Sequence, residues 1–211
     1  MNLLVIGASR GIGLRVVVQA LGGGHRVTAF ARHPEAIVAV HERLSKVRGN
    51  VLDPEALRTA LEGQDAVVVV LGKKTPWEAP PDLFSRGTQM VLDAMALAGV
   101  TRLVCVTGIG AGDTRGHGGL LYDGLMMPLL LSKIYADKDR QEALVRASRV
   151  DWTLVRPGFL TDGPLTGDYR ALTDLKGVKA GPIARADVAQ DRKSTRLNSS
   201  HTATSRMPSS A

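Results

Sequence analysis

Runs of aliphatic residues alternate along this chain with stretches whose apolar positions recur every three to four residues. Residues 3–6 (LLVI) form a continuous apolar run that ends in glycine, as expected of a strand buried on both faces. A helix is predicted over 11–21, and the rhythm then repeats: strand 25–30, a helix from Pro34, strand 45–49, and a helix over 54–61 with Asp53 as N-cap and Pro54 at its first position. Strand 66–71 leads to a long helix from about 82 to 98, and Gly99 stands where a left-handed C-cap belongs. Strand 102–107, a glycine-rich loop, a helical stretch ending at 148 and strand 152–155 bring the strands to six. The runs VVVV at 67–70 and LVCV at 103–106 have no polar face, so helices must cover both sides of the sheet. The pattern predicts a doubly wound, parallel α/β fold.

In such a sheet ligands bind at the carboxyl ends of the strands. Those ends bring together Gly7, Arg32, Asp53, Leu71, Gly72, Lys73, Thr107 and Pro157 on one rim. The stretch GASRGIG (Gly7, Ala8, Ser9, Arg10, Gly11, Ile12, Gly13) lies directly between the first strand and the first helix. Glycines there permit a tight turn and close backbone approach to a pyrophosphate, while the helix N-terminus offers free N–H groups. This is the signature of a Rossmann-type NAD(P)-binding domain. The adenosine ribose is usually read by a carboxylate at the end of the second strand, but that place holds Ala31, Arg32 and His33. Arg32, helped by Arg10, suits a 2′-phosphate, so NADP(H) is expected over NAD(H). Asp53 is read as a helix cap that can also contact the adenine side.

Composition narrows the classes. With 211 residues, 44% of them hydrophobic, the chain is long enough for one core and short for two domains. The longest apolar run, 119–131, contains Asp123, Gly124 and Pro128 and falls short of the ~20 residues of a membrane span. The N-terminus lacks the basic region and cleavage site of a signal peptide, and Cys105 is the only cysteine. A cytoplasmic location is therefore expected, with no disulfide framework and no metal site. Of the net charge of +7, four basic residues against Asp191 place +3 within 191–211, leaving +4 scattered over 1–190. Without a basic stripe or interleaved aromatics, no nucleic-acid partner is expected.

From Asp191 the periodicity stops. DRKSTRLNSSHTATSRMPSSA is rich in Ser and Thr, nearly devoid of apolar residues, and follows directly on a helix start at 183–189. Composition alone predicts a disordered tail. Over 191–201 and 205–211 the segment also resembles the in-frame translation of a common short-read sequencing adapter, with 202–204 spanning its variable index. Residues 1–190 are expected to form the domain and 191–211 to be non-native and without a packed role, the natural chain being interrupted near Ala189.

GASRGIG, GNVLDPEALRTALEGQDAVVVVLG and RPGFLTDGPLTGDY together resemble the atypical short-chain dehydrogenase/reductase group of NAD(P)H-binding, NmrA-like proteins, and within it the flavin reductase (biliverdin reductase B) branch. The resemblance runs collinearly over 1–189. It implies NADPH-dependent hydride transfer to a flavin or another flat, conjugated acceptor. By that resemblance Gly7 to Gly13 hold the pyrophosphate, Arg32 the 2′-phosphate, Asp53 the adenine side, and Leu71, Gly72 and Lys73 the middle of the cofactor. Thr107 falls near the nicotinamide, and Pro157 and Phe159 line its face. Phe159 departs from the branch, which has a histidine beside the substrate; phenylalanine donates no proton, implying a pocket of different polarity.

Typical short-chain dehydrogenases pair a tyrosine with a lysine four residues on, lowering the tyrosine pKa for proton donation. Tyr122 has Met126 at that place, and Tyr135 has Asp139 with Lys138 one position early. Tyr135 and Lys138 still share a helix face and can cooperate; the plainer reading is that Tyr135 packs and Lys138 is a solvated charge. A conjugated acceptor can take its proton from water, so this departure argues against alcohol or sugar dehydrogenation. His117 and Trp77 read as loop residues, and the stripe Leu120, Leu121, Leu125, Met126, Leu129 and Leu130 as core. The sequence thus predicts an oxidoreductase that uses NADPH to reduce a small-molecule acceptor held between Thr107, residues 108–119 and residues 159–169. A non-catalytic NADP(H)-sensing regulator is the alternative, and the oligomeric state is left open.

Overall fold

The computed structural model describes residues 1–73, 79–117, 131–174, 176 and 180–190, together with the backbone of 199–205. Strands β1 (Asn2–Ile6), β2 (Arg26–Ala31), β3 (Leu44–Arg48), β4 (Ala66–Val69), β5 (Arg102–Val106) and β6 (Asp151–Pro157) run parallel in the order β3-β2-β1-β4-β5-β6. The chain builds outward from β1 in one direction, crosses back, and builds from β4 in the other. This places a topological switch between β1 and β4, where the register is Leu3 with Ala66 through Ile6 with Val69. The six strands read from the apolar runs are all present, and the Rossmann-type doubly wound fold is as the sequence predicts.

Alternation along β1 sorts the two layers. Leu3 and Val5 face one core with Val16, Val17 and Ala20 of α1 (Gly11–Gly22) and Val188 and Ala189 of α5 (Arg185–Gln190). Leu4 and Ile6 face the other, with Leu57 and Leu61 of α2 (Pro54–Leu61), Val91 and Met95 of α3 (Leu83–Ala98), and Val145 of α4 (Ser132–Ala147). The capping expectations hold: the Asp53 carboxylate accepts from the Glu55 and Ala56 amides at 3.1 and 3.2 Å, and Gly99 closes α3 in the left-handed region at φ 69°. Truncating a fully buried residue such as Leu4 or Leu154 to Ala typically costs about 2–5 kcal/mol.

Three features differ from the expectations. The helix expected from Pro34 is only a short 3-10 turn, Pro34–Ala36. The following IVAV is a β-branched, period-two stretch in which Ile37 is buried while Val38 and Val40 are exposed, a pattern that suits extended chain better than helix. Beyond β6 the chain adds a two-stranded ladder, β7 (Phe159–Thr161) with β9 (Pro182–Ala184), and strand β8 (Tyr169–Leu172). Finally, the segment expected to lack any packed element contributes β10 (Ser199–Ser205), parallel to β6 and antiparallel to β8. Ladder hydrogen bonds are made by the backbone, so the open edge of β6 accepts a strand of almost any polar composition.

The apolar stripe over 120–130, with Tyr122, and Trp77 lie outside the described residues. Among the described residues no helix is long and apolar enough to cross a membrane, and no group of His, Cys, Asp or Glu is arranged to hold a metal. Burial pushes the Cys105 thiol up to about 12, which leaves it an inert core residue.

Candidate active site

The rim formed by the strand ends encloses one large cleft of about 1050 Å³. Its floor is the turn between β1 and α1. Gly7 has φ 85°, and a Cβ there would run into the Val70 carbonyl oxygen; a Cβ on Gly13 would run into the carbonyl oxygen of Gly7. Side chains are thus excluded at both ends of the loop, and the Gly7 amide is tied to the Phe30 carbonyl at 3.0 Å. Ser9, Arg10, Gly11 and Ile12 line the cleft, whereas Ala8 is wholly buried beneath it. This is a cradle shaped for a phosphate group approaching backbone N–H groups.

At the β2 end, Arg32 and His33 line the cleft. Glu35, three residues beyond Arg32, does not line it and is engaged by Arg48 at 2.9 Å and His33 at 3.2 Å. The lining cations are Arg10, Arg32, Lys73, Lys138 and Arg185, and Asp162 is the one carboxylate among the described lining residues. Such a cleft suits a polyanionic ligand. Asn50, Val51 and Leu52 form the wall after β3, while Asp53 stands just outside them with its carboxylate engaged as the α2 cap. Leu71, Gly72 and Lys73 line the middle, where Lys73 Nζ donates to the Pro80 carbonyl and lies 5.4 Å from the centre of the Phe84 ring.

At the β5 end Thr107 is buried, and its Oγ1 lies 2.6 Å from Glu142 Oε1. Glu142, itself buried, also accepts from Arg156 Nε at 2.9 Å and from Arg156 Nη2, which in turn reaches Asp113 at 2.7 Å. The Thr107 hydroxyl donates to this carboxyl oxygen, so its one proton is committed there. The remaining lone pairs of Thr107 Oγ1 make it an acceptor toward its other neighbours. Removing one member of the buried Glu142–Arg156 pair typically costs about 3–5 kcal/mol, so Glu142 is a firmly placed acceptor for Thr107.

Tyr135 and Lys138 both line the cleft on the same face of α4, with the Tyr135 hydroxyl 3.4 Å from the place a Cβ on Gly108 would occupy. Lys138 is not the solvated charge that its helical position suggests. It is buried, donates to the Thr107 carbonyl at 3.0 Å and sits 4.4 Å from the Phe84 ring centre. Desolvation by this burial lowers its pKa from 10.5 to about 8, against the opposing pull of Glu142 and Asp137. Asp137, also buried, caps α3 from outside: it accepts from the Phe84 amide at 2.8 Å and Ser85 Oγ at 2.5 Å, locking α4 to α3. Pro157, Gly158 and Phe159 complete the wall, joined by Ile109, Ile134 and Leu160.

The cleft therefore collects the glycine loop, Arg32, Leu71 to Lys73, Thr107, Tyr135, Pro157 and Phe159, leaving Ala8, Gly13 and Asp53 as supports behind it. Sequence reasoning placed Arg156 only at the end of a strand, without a role, and missed Glu142 and Arg185. Glu142 was findable: Tyr135, Lys138 and Glu142 fall at i, i+3 and i+7, one helix face. The glycine cradle and the excess of cations fit a dinucleotide.

Residues 7–190 match a family model described as NAD(P)H-binding. The chain is 28% identical over 198 residues to YhfK of Bacillus subtilis (strain 168), described as an uncharacterized sugar epimerase, covering 90% of this chain and 85% of that protein. It is similar in structure to ChuY of Escherichia coli O157:H7, described as an anaerobillin reductase, with TM-score 0.81, 22% identity and 100% of both chains covered. A wide-type short-chain dehydrogenase/reductase from Veillonella parvula, solved in complex with NADP, superposes with TM-score 0.77 at 18% identity over 99% of each chain.

Proposed function

This chain belongs to the NAD(P)H-binding family, and from that premise we propose that it is an NADPH-dependent reductase of a small, flat, conjugated acceptor such as a flavin, tetrapyrrole or quinone. The observation that carries the reading is the apolar wall around the β5 and β6 ends, Ile109, Ile134, Phe159 and Leu160. A sugar would leave its hydroxyls unpaired against such a wall, whereas a conjugated ring buries well there. The description of ChuY as a reductase agrees with this choice.

Bound NADPH supplies the hydride. The glycine loop would hold its phosphates and Arg32 its 2′-phosphate; the one carboxylate among the described lining residues, Asp162, stands with Arg185 by the glycine loop and not at the β2 end. Thr107 Oγ1, its proton given to Glu142, would accept from a donor on the nicotinamide side, and Pro157 and Phe159 would line the ring face. Binding geometry then supplies most of the rate, and no protein acid is obligatory because the acceptor can be protonated from water.

The test is NADPH oxidation measured with FMN, riboflavin, biliverdin and quinones, alongside direct NADPH and NADH binding. Turnover with a conjugated acceptor supports the reading. Tight NADPH binding without oxidation by any of them overturns it in favour of an NADP(H) sensor. Arg32→Ala should weaken NADPH roughly ten- to hundredfold and barely touch NADH; equal losses would show that Arg32 acts through the fold.

A further inference from the structure

Arg185, the first residue of α5, lies beside the glycine loop. Its Cδ and Nε stand 3.8 and 3.9 Å from the place a Cβ on Gly11 would occupy, and its Nη1 donates to Asp162 Oδ1 at 2.8 Å. Both residues line the cleft. The pair is unequal: the Asp162 side chain is 84% exposed and that of Arg185 28%. The guanidinium is the more sheltered member, while its carboxylate partner is a solvated group at the rim. An ion pair with one member so exposed is weak and readily exchanged. A dinucleotide lying on Gly11 brings two phosphates to that guanidinium, and phosphate competes well with a solvated carboxylate for an Arg fork.

We infer that Arg185 is a pyrophosphate-binding residue shared between Asp162 and the bound dinucleotide, and that Asp162 sets cofactor affinity by competing for it. This deepens the NAD(P)H reading of the cleft and rests on it. Arg185 acts on the part of the cofactor common to NADPH and NADH, unlike Arg32.

The test is calorimetric titration of the full chain with NADPH, NADH and adenosine 2′-monophosphate, which has the 2′-phosphate but no pyrophosphate. Arg185→Met should weaken NADPH and NADH alike by about tenfold and leave adenosine 2′-monophosphate unchanged, with Arg185→Lys recovering part of the loss. Asp162→Asn should tighten both dinucleotides by about two- to fivefold, the worth of an exposed pair. The Asp162→Asn arm stands even where Arg185→Met proves too unstable to titrate. Unchanged dinucleotide binding in folded Arg185→Met, a loss confined to NADPH, or weaker binding in Asp162→Asn overturns the inference alone. A wild-type protein that binds neither dinucleotide overturns the cofactor reading of the cleft and this inference with it.

Discussion

Replacing Lys138 by Met isolates the energetic consequence of burying an ammonium group beneath Thr107. The lysine pKa falls from 10.5 to about 8 because desolvation outweighs the pull of the nearby carboxylates. A tenfold change in proton affinity is worth about 1.36 kcal/mol, so the charged lysine weakens the fold by on the order of 3 kcal/mol relative to its neutral form. The sign follows from proton counts. Between pH 8 and 10.5 the unfolded chain binds more protons at this site than the folded one, so stability rises with pH through that window. Below pH 8 both states are protonated and the full destabilisation is present; above 10.5 it has gone. Methionine keeps the length and loses the titration. Urea denaturation of wild type and Lys138→Met at pH 7, 8, 9 and 10 should show the wild type gaining on the variant by up to ~3 kcal/mol across the window, with unchanged m-values. A difference that stays flat with pH would refute the argument, because it would mean that Lys138 keeps its proton as easily in the folded protein as in water.

Other consequences follow from the same site. Gly13→Ala places a methyl group against the Gly7 carbonyl and should abolish dinucleotide binding in titration, while the thermal midpoint falls as the turn shifts. Thr107→Val removes a donor from the buried Glu142 carboxylate and should destabilise the protein by about 1–3 kcal/mol in denaturant melts. It should also slow turnover more than it weakens NADPH binding, whereas Tyr135→Phe should keep most of the activity; the reverse ranking in steady-state kinetics would indicate a tyrosine-dependent dehydrogenase. Removing residues 191–211 exposes the β6 edge and should lower the thermal midpoint, yet leave NADPH affinity unchanged, because the glycine loop and Arg32 lie across the sheet from β10.

The fold was legible because its signals are local and strong. Apolar runs such as 3–6 and 67–70 have few alternatives to buried parallel strands, and a glycine loop between strand and helix marks the phosphate end of the cleft. The chemistry at the other end was harder to read. In α4 the buried residues are Asp137, Lys138, Gln141, Glu142 and Val145, a mainly polar stripe that periodicity rules take for a solvent face. Its partners, the α3 amides, Thr107 and Arg156, are distant in sequence, so the burial of these charges is a tertiary fact. The same holds for Arg185 and Asp162, which meet across 23 residues of sequence. The stretch after Pro34 failed for a different reason: proline suggested a helix start, but the β-branched run behind it does not sustain one.

Hydride transfer from an NADPH held in one orientation by Thr107 and the Pro157 to Phe159 wall would show itself in single-turnover oxidation of NADPH deuterated at one or the other face of nicotinamide C4. With a flavin, tetrapyrrole or quinone acceptor, oxidation should slow with one label and be unaffected by the other. No oxidation with any acceptor, or oxidation indifferent to both labels, would contradict it.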